Sequence, residues 1–197
     1  MSRRVRIGLA VGLAAVVAGC AQDAPQDTWD PAGENAQKIH DLQWPVFAIA
    51  GVVGVIVLAV VAFVVVRFRD RGQAMPEQTH GKPALEIALT ILPALILIGV
   101  AIPTVGTLMA LNETDDTECV VNVTGQQWWW EIDYPTQDGC GEGISAPIVT
   151  TGQMVIPTDT NVLVRGTSRD VIHSWWIPRL NGKRDMVPGR VHTVRLQ

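Results

Sequence analysis

One stretch of sequence, VFAIAGVVGVIVLAVVAFVVV, decides the fold; it runs from Val46 to Val66. It holds 21 residues, with no charge and no proline among them. A helix of that length extends about 30 Å, which matches the hydrocarbon core of a bilayer. Trp44 lies just before it, where an amphipathic ring is favoured at the membrane surface. The stretch predicts a first transmembrane span.

A second apolar stretch, Ala88 to Leu111, is also free of charge and predicts a second span. It contains Pro93 and Pro103, which would break a helix in water. In a bilayer, a neighbouring helix can satisfy the freed carbonyls, and a kink results. We therefore expect this span to pack against another membrane helix.

The loop between the two spans, residues 67–85, sets the direction of the hairpin. It carries three arginines and a lysine, whereas the flank before the first span has only Lys38. Short loops rich in Lys and Arg stay in the cytoplasm. We expect a helical hairpin over residues 46–111, with this loop inside the cell and both ends outside.

The N-terminal residues 1–20 predict a secretory signal, since three arginines precede an apolar stretch too short to span a bilayer comfortably. The ending Val-Ala-Gly-Cys at Cys20 resembles a bacterial lipoprotein signal, in which the cysteine is lipidated. A plain signal peptide with an incidental cysteine is the alternative. Residues 21–45 are polar and predict an extracytoplasmic segment, in which a short helix begins near Glu34.

Residues 112–197 have the pattern of a β domain. Trp128, Trp130, Ile132 and Tyr134 alternate with more polar neighbours, which predicts a strand with one buried face. Simple alternation places Trp128 and Trp130 on the buried face. Because Trp128 follows a turn, a bulge or a strand end could reorient it, and the sequence leaves open which of the three tryptophan rings is exposed. Turns are expected at Thr124-Gly125 and Asp138-Gly139, further strands at 153–156 and 161–165, and loops at 157–159 and 166–170. Short strands separated by turns indicate a sandwich or barrel.

The charge pattern argues against nucleic acid as a partner. The net charge is -4, and no basic patch could neutralise phosphates. Acidic residues cluster before the first span and just after the second. They are either solvated flanks or a surface that attracts a basic soluble protein.

Three features could carry chemistry, and each has a structural alternative. The run Trp128-Trp129-Trp130 must expose at least one ring, which indicates a membrane, protein or electron-transfer contact if it is not core packing. His173, within DVIHSWWIP, has no second metal ligand at a recognisable spacing. Glu86, at the start of the second span, either sits among headgroups or serves proton movement.

These motifs, in this order, resemble subunit II of bacterial cytochrome c oxidase. Residues 86–94, EIALTILPA, are similar to that family's Glu-x-x-x-Thr-Ile-Leu-Pro segment, and residues 125–130, GQQWWW, resemble its aromatic motif. Residues 170–178 with DMVPGR at 185–190 are similar to its first copper-ligand region. The resemblance runs from about residue 20 to the last residue.

The resemblance implies a membrane α-hairpin that carries an extracytoplasmic, all-β, cupredoxin-like domain with a dinuclear copper centre, CuA. That centre accepts electrons from cytochrome c and passes them to heme in subunit I. On this basis His173 is a copper ligand, Trp128 the residue where electrons enter, and Glu86 the mouth of a proton pathway. Asp170 belongs to the surface that docks cytochrome c, where its charge steers a basic partner.

The sequence departs from the family in its copper ligands. The family's remaining ligands follow a Cys-x-Glu-x-Cys-x-x-x-His-x-x-Met pattern downstream of Pro-Gly-Arg, and residues 1–197 do not contain it. The copper domain at 112–197 is therefore expected to be incomplete, as a fragment or as a shortened relative, and inactive in isolation. Cys119 and Cys140 precede His173 and are expected to form a disulfide in an oxidising compartment, or else to be free thiols.

Two other functions stay open. A quinol-oxidase subunit II would keep the hairpin and the β fold without copper, but such a domain would not need His173. A structural or assembly lipoprotein would only anchor the complex. In every case we expect a protein of the bacterial plasma membrane, with lipid and other oxidase subunits, subunit I above all, as its neighbours.

Overall fold

The computed structural model describes residues 24–70, 72, 81–140 and 144–197, with the isolated positions 3, 7, 8, 11 and 12. Cys20 and most of the expected signal peptide lie outside the described residues, as does the middle of loop 67–85.

Two long helices form the membrane part of the chain. Helix α1 spans Glu34–Arg67 and helix α2 spans Pro83–Leu111, and both are long and apolar enough to cross a bilayer. The helix expected near Glu34 is the start of α1, which continues through Pro45 without a break. Helix α2 begins with a proline, whose missing N–H costs nothing at the first position of a helix.

Within the described residues, seven strands build the β domain. Their bounds are Cys119–Gln126 (β1), Trp129–Tyr134 (β2), Ile148–Thr151 (β3), Val162–Ser168 (β4), His173–Trp175 (β5), Arg184–Met186 (β6) and His192–Leu196 (β7). Five of them form one sheet in the order β3-β2-β1-β4-β7, and β5 pairs with β6 separately. Strand β1 is antiparallel to β2 and parallel to β4.

The core lies under β1 and β4. Alternate side chains of β1 are buried, as the period of two requires, and Val121 and Val123 are fully buried. They pack in one cluster with Ile132, Val164 and Met186. The strand pattern around residue 132 is confirmed, because Ile132 and Tyr134 are buried while their neighbours are half-exposed.

Several sequence-based bounds were wrong. The turn before β2 lies at Gln127-Trp128, and Thr124-Gly125 belongs to β1. Residues 153–156 form no strand; the edge strand is β3, and Tyr134 accepts a hydrogen bond from the backbone of Val155 at 2.8 Å. Residues 166–168, expected in a loop, extend β4. These outcomes depend on which strands pair and in which register, which local sequence does not specify.

The start of α1 is attached to the β domain. Asn35 is fully buried, and its amide nitrogen donates a hydrogen bond to the carbonyl of Arg195 in β7 at 3.0 Å. The backbone N–H of Ala36 donates to Leu180 at 3.1 Å. One free N–H of the first helical turn, that of Ala36, is thus satisfied by the β domain.

A disulfide joins Cys119 to Cys140, whose Cα atoms lie 5.0 Å apart. Cys119 is buried at the start of β1, and Cys140 packs against the same core. The bond connects β1 to the loop that follows β2.

The disulfide predicts protection from alkylation. Native full-length chain treated with iodoacetamide without reductant should be labelled at neither Cys119 nor Cys140, and at both after reduction, as read by peptide mass spectrometry. The double variant Cys119→Ser/Cys140→Ser should lose about 3 kcal/mol of stability in the chain-entropy account. Labelling of both residues in native protein would contradict the pairing.

Candidate functional site

The candidate site lies where two parallel strands end together. Gly125 near the end of β1 pairs with Ser168 at the end of β4. Because parallel strands run in the same direction, the segments that follow them lie side by side at one edge of the sheet. These are the Gln127-Trp128 turn and the loop 169–172, which leads to His173.

His173 lies in a tight cage formed by Gly125, Trp130 and Asp170. Its ring lies edge-on to Trp130, with 5.6 Å between the centroids. A Cβ on Gly125 would lie 2.9 Å from the imidazole and 3.0 Å from the Trp130 ring. No side chain fits there without displacing the histidine, so glycine at position 125 serves this close approach rather than a turn.

Asp170 contacts the imidazole of His173 at its Nε2 atom. One carboxylate oxygen, Oδ1, lies 2.7 Å from Nε2 of His173. That hydrogen bond holds the pKa of the Asp170 carboxyl well below its usual range, and bonds from the backbone N–H groups of Gln127 and Val171 lower it further. A carboxylate can only accept, so Nε2 carries the proton and Nδ1 is the nitrogen with a lone pair when the ring is neutral.

The same carboxylate also holds the tryptophan turn. Its second oxygen, Oδ2, accepts a hydrogen bond from the backbone N–H of Gln127 at 2.7 Å. Gln127 immediately precedes Trp128. Asp170 thus joins the Trp128 turn and the His173 loop through one side chain, across 43 residues of sequence.

Trp128 is the exposed member of the tryptophan run. It is 88% exposed, Trp129 is 41% exposed, and Trp130 is half-buried against His173. The alternation that placed Trp128 on the buried face was wrong, because strand β2 begins only at Trp129 and Trp128 lies on the preceding turn. Trp128 and His173 are therefore brought to the same end of the sheet, one at the surface and one beneath it.

Charged residues around this edge are partly paired. Arg169 and Glu131 form an ion pair at 2.6 Å, and the backbone N–H of Arg169 donates to Gly125. Asp170 is turned toward His173 and Gln127, so much of its charge is already matched. A role for Asp170 in docking stays a prediction.

Glu86 is remote from this edge. It lies in the first turn of α2, exposed, with its backbone carbonyl accepting from Thr90 at 2.9 Å. A carboxylate there also suits the positive end of the helix dipole. The structure does not bring Glu86 together with His173 or Trp128.

The site does not by itself form a dinuclear copper centre. Among the described residues, no group of three or more His, Cys, Asp or Glu side chains is placed to hold a metal. The sulfurs of Cys119 and Cys140 bond each other, so they are not available as bridging thiolates. At this edge of the sheet, the described residues supply the imidazole of His173, already oriented by the Asp170 carboxylate.

Several residues of the site were missed by sequence reasoning. Gly125 was expected at a turn and the contact of Trp130 with His173 was not predicted, although both residues belong to the aromatic motif at 125–130. Ser168, whose hydroxyl contacts Asp170 at 3.3 Å and bonds the carbonyl of Val171, carried no local signal. The one available clue was the pairing of Gly with an aromatic run, which is typical of a close backbone approach.

Comparison with known proteins gives a consistent result. The family model described as cytochrome c oxidase subunit II, transmembrane domain, matches residues 22–106, and the one described as its periplasmic domain matches residues 119–197. Cytochrome c oxidase subunit 2 of Alkalihalophilus pseudofirmus is 34% identical over 91% of this chain and 52% of its own length. That of Cereibacter sphaeroides is 29% identical over 93% of this chain and 75% of its own.

A solved structure is also similar, the periplasmic domain of subunit II of cytochrome oxidase of Bradyrhizobium japonicum. It is 23% identical over 41% of this chain and 64% of that one, with a TM-score of 0.34, and a superposition that weak adds no weight. The chain spans about half the length of the Alkalihalophilus relative.

The two matched regions correspond to the two parts of the fold. The transmembrane region contains α1 and most of α2, and the periplasmic region starts at β1. The hairpin is therefore a membrane part, and the cupredoxin-like β domain lies outside the cytoplasm. This chain belongs to the cytochrome c oxidase subunit II family.

Proposed function

We propose that this chain is part of the electron-transfer subunit of a heme-copper terminal oxidase. Electrons would arrive from a cytochrome c at the β domain and leave toward heme in subunit I. The observation that carries this proposal is the Asp170 carboxylate, which holds an exposed tryptophan turn and an oriented histidine at one edge of the sheet. A surface aromatic beside a fixed redox ligand is the arrangement that electron entry needs.

Copper is the carrier that we propose for the complete protein, where it supplies a one-electron acceptor outside the membrane. His173 would bind it through Nδ1, because Nε2 is engaged by Asp170. Residues 1–197 lack the other ligands of a dinuclear centre, so no step through copper can be assigned to them. Their own contribution is to orient the imidazole and to present Trp128.

Copper loading tests whether copper binding needs ligands beyond those in residues 1–197. Residues 1–197 incubated with copper should give no purple dinuclear spectrum by absorption or electron paramagnetic resonance, because the candidate site provides the His173 imidazole and no free thiolate pair. The complete subunit should give that spectrum, and His173→Ala should abolish it. His192→Ala, which changes a histidine of β7, is the matched control and should keep it.

Two results would contradict the copper assignment. A dinuclear spectrum from residues 1–197 alone would show that the ligand set is different. A well-folded complete subunit without copper would favour a quinol-oxidase subunit or a structural lipoprotein.

Electron entry through Trp128 is tested in the assembled oxidase. Because Trp128 is 88% exposed, Trp128→Ala should leave folding intact while slowing electron transfer from reduced cytochrome c by about tenfold or more. The neighbouring Trp129→Ala is the control and should have a much smaller effect. Stopped-flow oxidation of the cytochrome measures both, and equal losses in the two variants would mean that Trp128 has no special role.

The role of Glu86 is separable from electron entry. Glu86→Gln should lower steady-state turnover and proton uptake on the order of tenfold, while the rate of cytochrome oxidation in the first electron step is unchanged. Glu113→Gln, just beyond the other end of α2, is the control. Normal proton uptake in Glu86→Gln, with normal assembly, would leave only a helix-terminal role for this carboxylate.

A further inference from the structure

A cluster of aromatic rings lies at the outer end of helix α1 and takes no part in the site above. Trp29 stands five residues before the helix, and its ring packs on those of Trp44 and Phe47, with centroids 5.7 Å and 5.4 Å away. The three rings stay 48%, 58% and 55% exposed. We call Trp29, Trp44 and Phe47 the aromatic cluster.

The indole of Trp44 makes its hydrogen bond within helix α1. The indole N–H of Trp44 donates to Nε2 of His40 at 3.0 Å, one turn earlier on the helix, and the His40 ring packs edge-on against Trp29. The indole hydrogen bond of Trp44 is therefore made within the chain. What the cluster offers outward is mainly the apolar faces of its rings.

Its position along α1 coincides with the edge of the apolar stretch. Phe47 is the second residue of the uncharged run 46–66, and Trp44 lies two residues before that run. Indole rings concentrate at this depth, where one part of the ring contacts lipid and another contacts water. Trp29 is brought to the same depth although it belongs to the segment outside the helix.

The cluster also lies on a particular side of the hairpin. The groove between α1 and α2 is lined from α1 by Leu42, Pro45, Ile49 and Val52, among others. At 100° per residue, His40, Trp44 and Phe47 lie about 150° around the helix from that groove. They occupy the narrow edge of the hairpin, whereas a subunit that packs on both helices would occupy a broad side.

The residues next to Trp29 are attached to the β domain. Arg179 pairs with the carboxylate of Asp30 at 2.6 Å and also donates to its backbone carbonyl at 2.8 Å. The carbonyl of Arg179 accepts the N–H groups of Ala32 and Gly33 at 2.8 Å and 3.1 Å. Segment 29–33 therefore has an aromatic side chain toward α1 and a polar backbone on the β domain.

We propose that the aromatic cluster binds the headgroup region of the outer leaflet, and that segment 29–33 is a bracket that fixes the β domain relative to the bilayer. The inference goes beyond electron transfer and does not depend on copper. A helix of another subunit is the rival occupant, since Gly51 and Gly54 continue this face of α1 and permit close helix contact.

Paramagnetic lipids test the bilayer contact directly. Full-length chain labelled with fluorotryptophan is placed in phosphatidylcholine nanodiscs, and its fluorine resonances are assigned from single Trp→Phe variants. A doxyl group near the glycerol should broaden the Trp29 and Trp44 signals severalfold more than one near the end of the acyl chain. Trp128 and Trp129 are the controls and should respond to neither.

Two outcomes would overturn the lipid assignment. One is a Trp29 signal that neither doxyl lipid affects. The other is a Trp29 signal that broadens in the isolated chain but not in the assembled oxidase, because another subunit would then cover the cluster.

The bracket is tested with a matched pair of arginine variants. Arg179→Gln should reduce the broadening of the Trp29 signal by about threefold. A change of that size is within what the loss of an exposed ion pair can cause. The Trp44 signal should stay unchanged, because Trp44 is held by the helix. Arg169→Gln removes an equally short ion pair elsewhere on the β domain and should change neither signal. Equal effects of the two variants, or none from Arg179→Gln, would overturn the bracket.

Discussion

In lipid, a backbone N–H or C=O without a partner costs several kcal/mol, and this constraint shapes more of the molecule than its membrane part. It makes the uncharged run 46–66 helical. The same helix does not end at the membrane surface but continues outward to Glu34. There its first turn donates to carbonyls of the β domain, and Asn35 is fully buried against β7. The position of the extracytoplasmic domain therefore follows from a helix that the bilayer requires.

Within the β domain, the parallel pairing of β1 with β4 determines where the candidate site lies. It brings the ends of the two strands to one edge, and only there can Asp170 reach both the Gln127 backbone and the His173 ring. Because residue 125 is glycine, no side chain fills the space that the imidazole of His173 occupies. The strand register and the absence of a Cβ at Gly125 thus place His173 at the same edge of the sheet as the exposed Trp128.

The sequence was informative wherever structure is local. Both membrane helices and the alternation at Ile132 and Tyr134 follow from composition and period alone, and the family resemblance is confirmed by matches over both parts of the chain. The failures concern strand pairing and register, which local composition does not specify. Residues 153–156 have the composition of a strand, but β3 at 148–151 pairs with β2 instead. Trp128 fits the alternation, yet the register of β1 with β2 leaves it on the turn.

The contacts that define the site were beyond sequence reasoning for the same reason. Asp170 was expected at a docking surface from the family resemblance, and its bond to Gln127 spans 43 residues. The attachment of Asp30 to Arg179 spans 149 residues. No periodicity or motif links the two residues of either pair, so the sequence pattern does not predict these contacts.

The orientation of His173 does not depend on a metal. Asp170 engages Nε2, Trp130 packs on the ring, and the absence of a Cβ at Gly125 leaves a space that fits the imidazole. A ligand held by such partners loses little conformational freedom when it binds, and its free nitrogen is chosen in advance. In the proposed copper site, His173 is therefore the preorganised ligand. Ligands from any other segment would then have to adapt to its position, and the cage, which lies wholly within residues 125–173, would set where the proposed centre forms.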